Sequence, residues 1–147
     1  MSNGSKRKKT YLPVVLIIVD GWGIAPPGPT NPFSFAANHE LQELSSMYKT
    51  VALAASGVEM GQHKGEPGYS ELGHVTMSSG RVLPSKRKGE IKNCLPEVIS
   101  HTSMRQFYIA ETKKYGHLTF YFNGCSSTMF PQVDCELVPG SHIVDYK

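Results

Sequence analysis

Hydrophobic residues in the first half of the chain alternate between continuous runs and spaced patterns. The stretch 14–19, VVLIIV, is continuously apolar and rich in β-branched residues, which predicts a central parallel strand covered on both faces. Apolar residues at helical spacing then predict an amphipathic helix over 33–48. The run 51–55, VALAA, predicts a second short strand, and a long loop over 56–68 leads into GYSELGHVTMSSG, which is typical of a turn and a short helix.

The second half of the chain has a different pattern of polar and apolar residues. The stretch 84–90, PSKRKGE, is polar and contains helix breakers, which indicates a junction. Beyond it the pattern predicts a helix over 95–104 and strands at 106–110, 117–122 and 137–138. The order strand, helix, strand, loop, helix in the first half is typical of βαβ units. We therefore expect an α/β fold, a three-layer sandwich with a mainly parallel sheet.

Composition and charge fit one ordinary domain. The chain has 147 residues, of which 39% are hydrophobic and 18% charged, and its formal net charge is +3. We expect a disordered basic tail over 1–10 and a single domain over 11–147. The basic runs at 6–9 and 86–88 lack interleaved aromatic residues, so we expect no nucleic-acid partner.

The apolar run near the N-terminus resembles a signal peptide only superficially. It is short, it stops at Asp20, and no small-residue cleavage pattern follows it. No segment approaches the ~20 apolar residues of a membrane span, so we expect no membrane partner. The three cysteines show no CxxC spacing, which favours free thiols in a reducing compartment. We expect a cytoplasmic protein.

Two oxygen-bearing side chains are candidates for chemistry. Asp20 ends the first predicted strand, and Ser70 follows the loop after the second, so both should lie at the carboxyl edge of a parallel sheet. A carboxylate and a hydroxyl there suit a divalent cation that lowers the serine pKa and makes it a nucleophile. Structural interpretations stay open, because Ser70 suits a helix N-cap and Asp20 suits an N-cap or Asx-turn.

Other polar residues give weaker signals. Lys114 lies just beyond a predicted strand, where it suits an anion contact or a solvated surface position. His74 lies one helical turn after Ser70 and is interpreted as structural. The remaining histidines show no ligand spacing and are assigned no role; they are His39, His63, His101, His117 and His142.

Several blocks of the sequence resemble one enzyme family. VVLIIVDGWG, ASGVEMG and GYSELGHVTMSSGRV are similar to the opening of the cofactor-independent (2,3-bisphosphoglycerate-independent) phosphoglycerate mutases, in the alkaline-phosphatase superfamily. LPEVISHTSMRQFYIAETKKYGHLTFYFNG and ELVPGSHIVDY are similar to a later stretch of the same family. The resemblance implies a partial alkaline-phosphatase-like domain. It also implies an isomerase of glycolysis that interconverts 3-phosphoglycerate and 2-phosphoglycerate through a phosphoserine.

The resemblance also implies roles for individual residues. Ser70 matches the phosphorylated nucleophile, and Asp20 matches a manganese ligand, with Ser70 touching the same metal. Lys114 matches the lysine that contacts the substrate phosphate. The family uses two manganese ions, of which this chain would retain at most one partial site.

Three departures from the family pattern bear on activity. The family's inserted transferase domain, which binds the glycerate, is reduced here to a junction at 84–90, and the later Asp and His metal ligands are absent from this sequence. Tyr69 stands where the family usually has asparagine. We therefore expect little mutase activity from this chain alone. Two alternatives are a non-catalytic remnant that serves as a binding module, and one half of a split metal-dependent phosphotransferase completed by an unknown chain.

Overall fold

The structure is a computed structural model that describes residues 12–36 and 39–140. The predicted tail over 1–10 therefore lies outside the described residues. The described residues form three α-helices: α1 His39–Met47, α2 Ser70–Ser79 and α3 Leu95–His101. Two strands follow α3, β1 Gln106–Glu111 and β2 Val133–Val138. Shorter elements are the 3-10 turns Pro32–Ser34 and Val58–Met60 and a π-helix at His117–Tyr121.

The three predicted helices are confirmed with shifted ends. The helix expected over 33–48 begins later, because Pro32–Ser34 forms a separate 3-10 turn whose N-cap, Asn31, accepts a hydrogen bond from Phe33 N at 3.0 Å. The helix expected over 95–104 ends at His101, shortly before Ser103 adopts a left-handed conformation. The described residues include no helix with the length and apolar character needed to cross a bilayer.

The sheet is small and parallel. β1 pairs with β2 from Gln106 opposite Val133 to Glu111 opposite Val138. The strand predicted at 106–110 is confirmed, and the short strand predicted at 137–138 is the end of β2. Residues 112–132 supply the long crossover that parallel neighbours require. The described part of the chain is thus a mixed α/β structure with a two-stranded parallel sheet.

The prediction of a strand at 117–122 is wrong. Residues His117–Tyr121 form the π-helix, closed by a hydrogen bond from Phe122 N to the His117 carbonyl at 2.8 Å. The apolar and aromatic residues of this segment, HLTFYF, suggested a strand. Packing decides otherwise, because the segment lies against α2 and Ser78 Oγ donates to the Phe122 carbonyl. Tertiary contact here overrides the local pattern.

The strands predicted at 14–19 and 51–55 do not form either. Both segments lack ladder partners among the described residues, and all their large apolar side chains except the half-buried Ile18 are exposed, with Val14 94% accessible. Strand propensity reflects the fit of a side chain to a pleated, half-buried surface. The β1–β2 pair provides no such surface to either segment, so the apolar runs stay outside the sheet.

The core lies between α2, the 84–90 junction and the π-helix. Val75, Leu83 and Ile91 form its centre, with Tyr121 and Cys125 packed against them. Ile91 N donates to the Gly124 carbonyl at 2.7 Å. This core fixes the body of α2, and the first residue of that helix, Ser70, is only partly buried.

Candidate active site

The N-terminus of α2 presents a serine hydroxyl that does not cap its own helix. Tyr69 is the N-cap residue, with extended backbone and no side-chain capping bond, and Ser70 is the first helical residue. The N-cap interpretation of Ser70 is therefore wrong. Just before it, Gly68 lies so close to the Ala55 carbonyl that a Cβ would overlap it. A glycine is required for the end of segment 51–55 to approach the start of α2.

Asp20 accepts a hydrogen bond from the Ser70 hydroxyl. It follows the apolar run 14–19 in a turn where Gly21 has a left-handed conformation (φ 80°). Ser70 Oγ donates to Asp20 Oδ2 across 50 residues of sequence. The proximity expected for these two residues is therefore observed, even though neither predicted strand forms.

Lys114 completes a three-residue cluster. It lies in the turn after β1, where its backbone N–H donates to the Glu111 carbonyl at 2.9 Å. Its ammonium forms an ion pair with Asp20 Oδ2 and lies 3.3 Å from Ser70 Oγ. The structure thus brings together all three residues singled out in the sequence, while their chemical roles stay predictions.

The Asp20 carboxylate is strongly stabilised in its ionised form. Hydrogen bonds from Lys114 and then from Ser70 lower the pKa of Asp20 to about 2, against a smaller opposing effect of burial. Such a weakly basic carboxylate is a poor general base at neutral pH, because an efficient base has a pKa near the working pH. Asp20 is therefore better suited to orient the Ser70 hydroxyl and to hold Lys114 than to deprotonate the serine outright.

His74 supports α2 without touching the Ser70 hydroxyl. Its Nδ1 lies 2.8 Å from the Ser70 carbonyl oxygen, so Nδ1–H is the donor to the backbone in this contact. The buried ring of His74 meets the ring of His117 edge-on, with centroids 5.1 Å apart. His117, which follows Lys114 closely in sequence, thereby links the lysine turn to α2. Sequence spacing gave no signal for this pair.

The described residues do not fit a divalent cation by themselves. Within residues 12–36 and 39–140 no group of three His, Cys, Asp or Glu side chains could hold a metal ion. Asp20 and Ser70 offer one carboxylate and one hydroxyl, whereas Mn²⁺ prefers an octahedral set of oxygen ligands. Moreover, the Lys114 ammonium already occupies the Asp20 oxygen that faces the serine.

Comparison with known proteins places the chain in a family. A family model described as the Metalloenzyme superfamily matches residues 12–147, which is most of the chain. The chain belongs to the Metalloenzyme superfamily.

Similarity to individual curated proteins is partial. The chain is 42% identical over 71 residues to a 2,3-bisphosphoglycerate-independent phosphoglycerate mutase of Chloroflexus aggregans, covering 48% of this chain and 13% of that protein. It is 42% identical over 77 residues to the same enzyme of Pyropia yezoensis, covering 52% of this chain and 14% of that protein. The resemblance to these mutases is thus confirmed, over about half of this chain and about one seventh of each relative.

Proposed function

We propose that this superfamily member is a partial phosphoglycerate-mutase-type domain in which Ser70 accepts a phosphoryl group. The family reaction interconverts 3-phosphoglycerate and 2-phosphoglycerate. The observation that carries this proposal is the direct contact among Ser70, Asp20 and Lys114 at the N-terminus of α2. Nucleophile, orienting carboxylate and cation are the groups that phosphoryl transfer requires.

Each residue has a distinct role in the transfer. Ser70 Oγ attacks the phosphorus of a phosphomonoester, so an Oγ–P bond forms as the ester P–O bond breaks. Asp20 orients the Ser70 hydroxyl, and the leaving alkoxide takes a proton from the Lys114 ammonium. The Ser70 proton, acidified as the Oγ–P bond forms, then passes to the Lys114 amine 3.3 Å away and restores the ammonium. Phosphoryl transfer depends mainly on positioning and charge stabilisation, which the Lys114 ammonium and the helix N-terminus favour.

This chain retains only part of the manganese site that the family resemblance implies. The two family positions that this chain retains are Asp20 and Ser70, and an ion held there would polarise phosphoryl oxygens. Two ligands are too few for firm binding, and the steps above use none of this chemistry. We therefore propose that the isolated chain has little mutase activity, since the glycerate clamp of the family is also missing from its sequence.

The same proposal covers domain organisation and location. We propose one partial three-layer α/β domain over 11–147 with a junction at 84–90. Contacts at the two ends of the junction support this, because Ser85 N donates to the Gly61 carbonyl at 2.9 Å and Ile91 N to the Gly124 carbonyl. The chain would act in the cytoplasm on phosphoglycerates, without nucleic-acid or membrane partners.

A second candidate is a non-catalytic assembly module or one half of a split phosphotransferase. One observation favours it: the apolar segments 14–19 and 51–55 are exposed. A complementing chain could cover these side chains and supply further ligands. Size-exclusion chromatography with light scattering discriminates between the candidates, because an assembly module forms defined oligomers whereas exposed segments alone produce heterogeneous association.

Phosphorylation by a reactive donor tests the role of Ser70. p-Nitrophenyl phosphate is a phosphomonoester whose leaving group needs neither the glycerate clamp nor a proton from Lys114. We expect mass spectrometry to find slow, metal-independent phosphorylation at Ser70, absent from Ser70→Ala and retained in Ser79→Ala at the other end of α2. Phosphate on other residues only, or none after prolonged incubation, would contradict the proposal.

A further inference from the structure

Asp20 carries a cation supplied by the chain itself. Lys114 Nζ and Ser70 Oγ both donate to the same carboxylate oxygen, Oδ2, and the ammonium also lies 3.3 Å from the serine oxygen. We infer that Lys114 is the resident cation of this site and that the isolated chain therefore keeps Asp20 and Ser70 free of divalent metal. This inference concerns metal binding and stands apart from the proposed phosphoryl transfer.

The position of Lys114 is set by the fold. Its backbone N–H is bound to the Glu111 carbonyl at the end of β1, and His117 N donates to the Lys114 carbonyl at 3.0 Å. The lysine side chain is 41% exposed and that of Asp20 is 24% exposed. Fixed backbone and partial shielding hold the ammonium close to the only carboxylate in the cluster.

A divalent ion would have to displace this ammonium or share the carboxylate with it. Sharing places two positive charges within a few ångströms of each other, which is unfavourable because like charges this close repel. Displacement breaks the ion pair and brings in a metal for which the described residues supply no third His, Cys, Asp or Glu ligand. Both routes weaken the binding of a divalent ion, so removal of the lysine charge should raise the affinity of the site for that ion.

Binding of Mn²⁺ alone provides the test. The electron paramagnetic resonance signal of free Mn²⁺ falls on binding, which gives affinity and stoichiometry without any enzymatic assay. For the wild-type chain we expect no saturable site below about millimolar Mn²⁺, since one carboxylate and one hydroxyl are too few ligands. For Lys114→Met we expect an affinity about fivefold higher, which is the upper end of what an exposed ion pair contributes.

Three further variants make the result specific. Lys113→Met removes a neighbouring exposed charge and should leave affinity within about twofold of wild type. Lys114→Arg retains a cation and should bind as weakly as wild type. The double variant Lys114→Met, Asp20→Asn should bind Mn²⁺ no more tightly than wild type, because it lacks the carboxylate ligand. Circular dichroism of each variant verifies that it is folded.

Two results would overturn the inference. One is a wild-type chain that binds one Mn²⁺ at micromolar concentration and loses it in Asp20→Asn. The other is a folded Lys114→Met variant that binds no more tightly than Lys113→Met. Neither result bears on Ser70 phosphorylation by p-nitrophenyl phosphate, which is measured without metal, so failure of this inference and failure of the proposed function remain distinguishable.

Discussion

Two apolar regions of this chain differ in burial. The core around Val75, Leu83 and Ile91 is buried between α2 and the π-helix, whereas the more hydrophobic segments at 14–19 and 51–55 lie exposed. Hydrophobicity alone therefore does not determine which residues enter the core. Burial requires a partner surface, which the core residues have and the two segments lack within the described residues. The ends of the exposed segments nevertheless reach the site, through Asp20 and Ala55.

A matched pair of isoleucines gives the largest expected contrast. Ile91 is 3% exposed and Ile17 is 78% exposed. Ile91→Ala should lower the free energy of unfolding by about 2–4 kcal/mol, because it leaves a cavity in the core. Ile17→Ala should change it by less than about 0.5 kcal/mol. Urea denaturation measures both, and equal destabilisation by the two variants would show that segment 14–19 is buried in solution.

Two glycines extend the contrast to the backbone. Gly124 has φ 75°, and a Cβ there would lie 2.6 Å from the Ile91 carbonyl and 3.1 Å from Cys94 Sγ. Gly124→Ala should cost about 1–3 kcal/mol, because alanine is strained in this conformation and meets fixed neighbours. Gly73, inside α2, has open space around its Cβ position, so Gly73→Ala should stabilise by about 0.5–1 kcal/mol. A thermal shift of the same sign for both variants would contradict this description.

Acid titration should reveal a smaller effect at the site. Asp20 has a pKa of about 2 in the folded chain against an ordinary value of 3.8, so its ionised form stabilises the fold. That contribution is complete above about pH 5 and is lost progressively as the pH falls through 3.8 towards 2. Solvent screening limits it to at most about 1 kcal/mol.

Asp20→Asn provides the control for this titration. The variant cannot ionise at this position, so it should be less stable than wild type near neutral pH and should converge with it at pH 2. Urea midpoints measured across pH 2–5 give the comparison. An unchanged difference between the two proteins over this range would show that the ion pair with Lys114 does not form in solution.

Sequence reasoning succeeded where the signal was local or chemical. Helices α2 and α3 and strand β1 follow from turn signals, periodicity and apolar runs. The expected proximity of Asp20 to Ser70 is observed, with Lys114 beside them, while the chemical roles of the three residues stay predictions. Sequence reasoning failed at 14–19, 51–55 and 117–122, where the outcome depends on the surface available for packing. The contact of His74 with His117 was also beyond prediction, because 43 residues separate the two rings and only the fold of the crossover brings them together.

The central proposal is that Ser70 is the nucleophile of a mutase-type site and that this chain lacks the parts needed for turnover. A coupled assay for conversion of 3-phosphoglycerate to 2-phosphoglycerate, with and without Mn²⁺, tests it most directly. Loss of positioning alone removes up to ~7–11 kcal/mol of barrier reduction, and each ~1.4 kcal/mol is tenfold in rate. We predict no turnover above background by the purified chain in either condition. Robust manganese-dependent turnover that Ser70→Ala abolishes and Ser79→Ala preserves would contradict the claim.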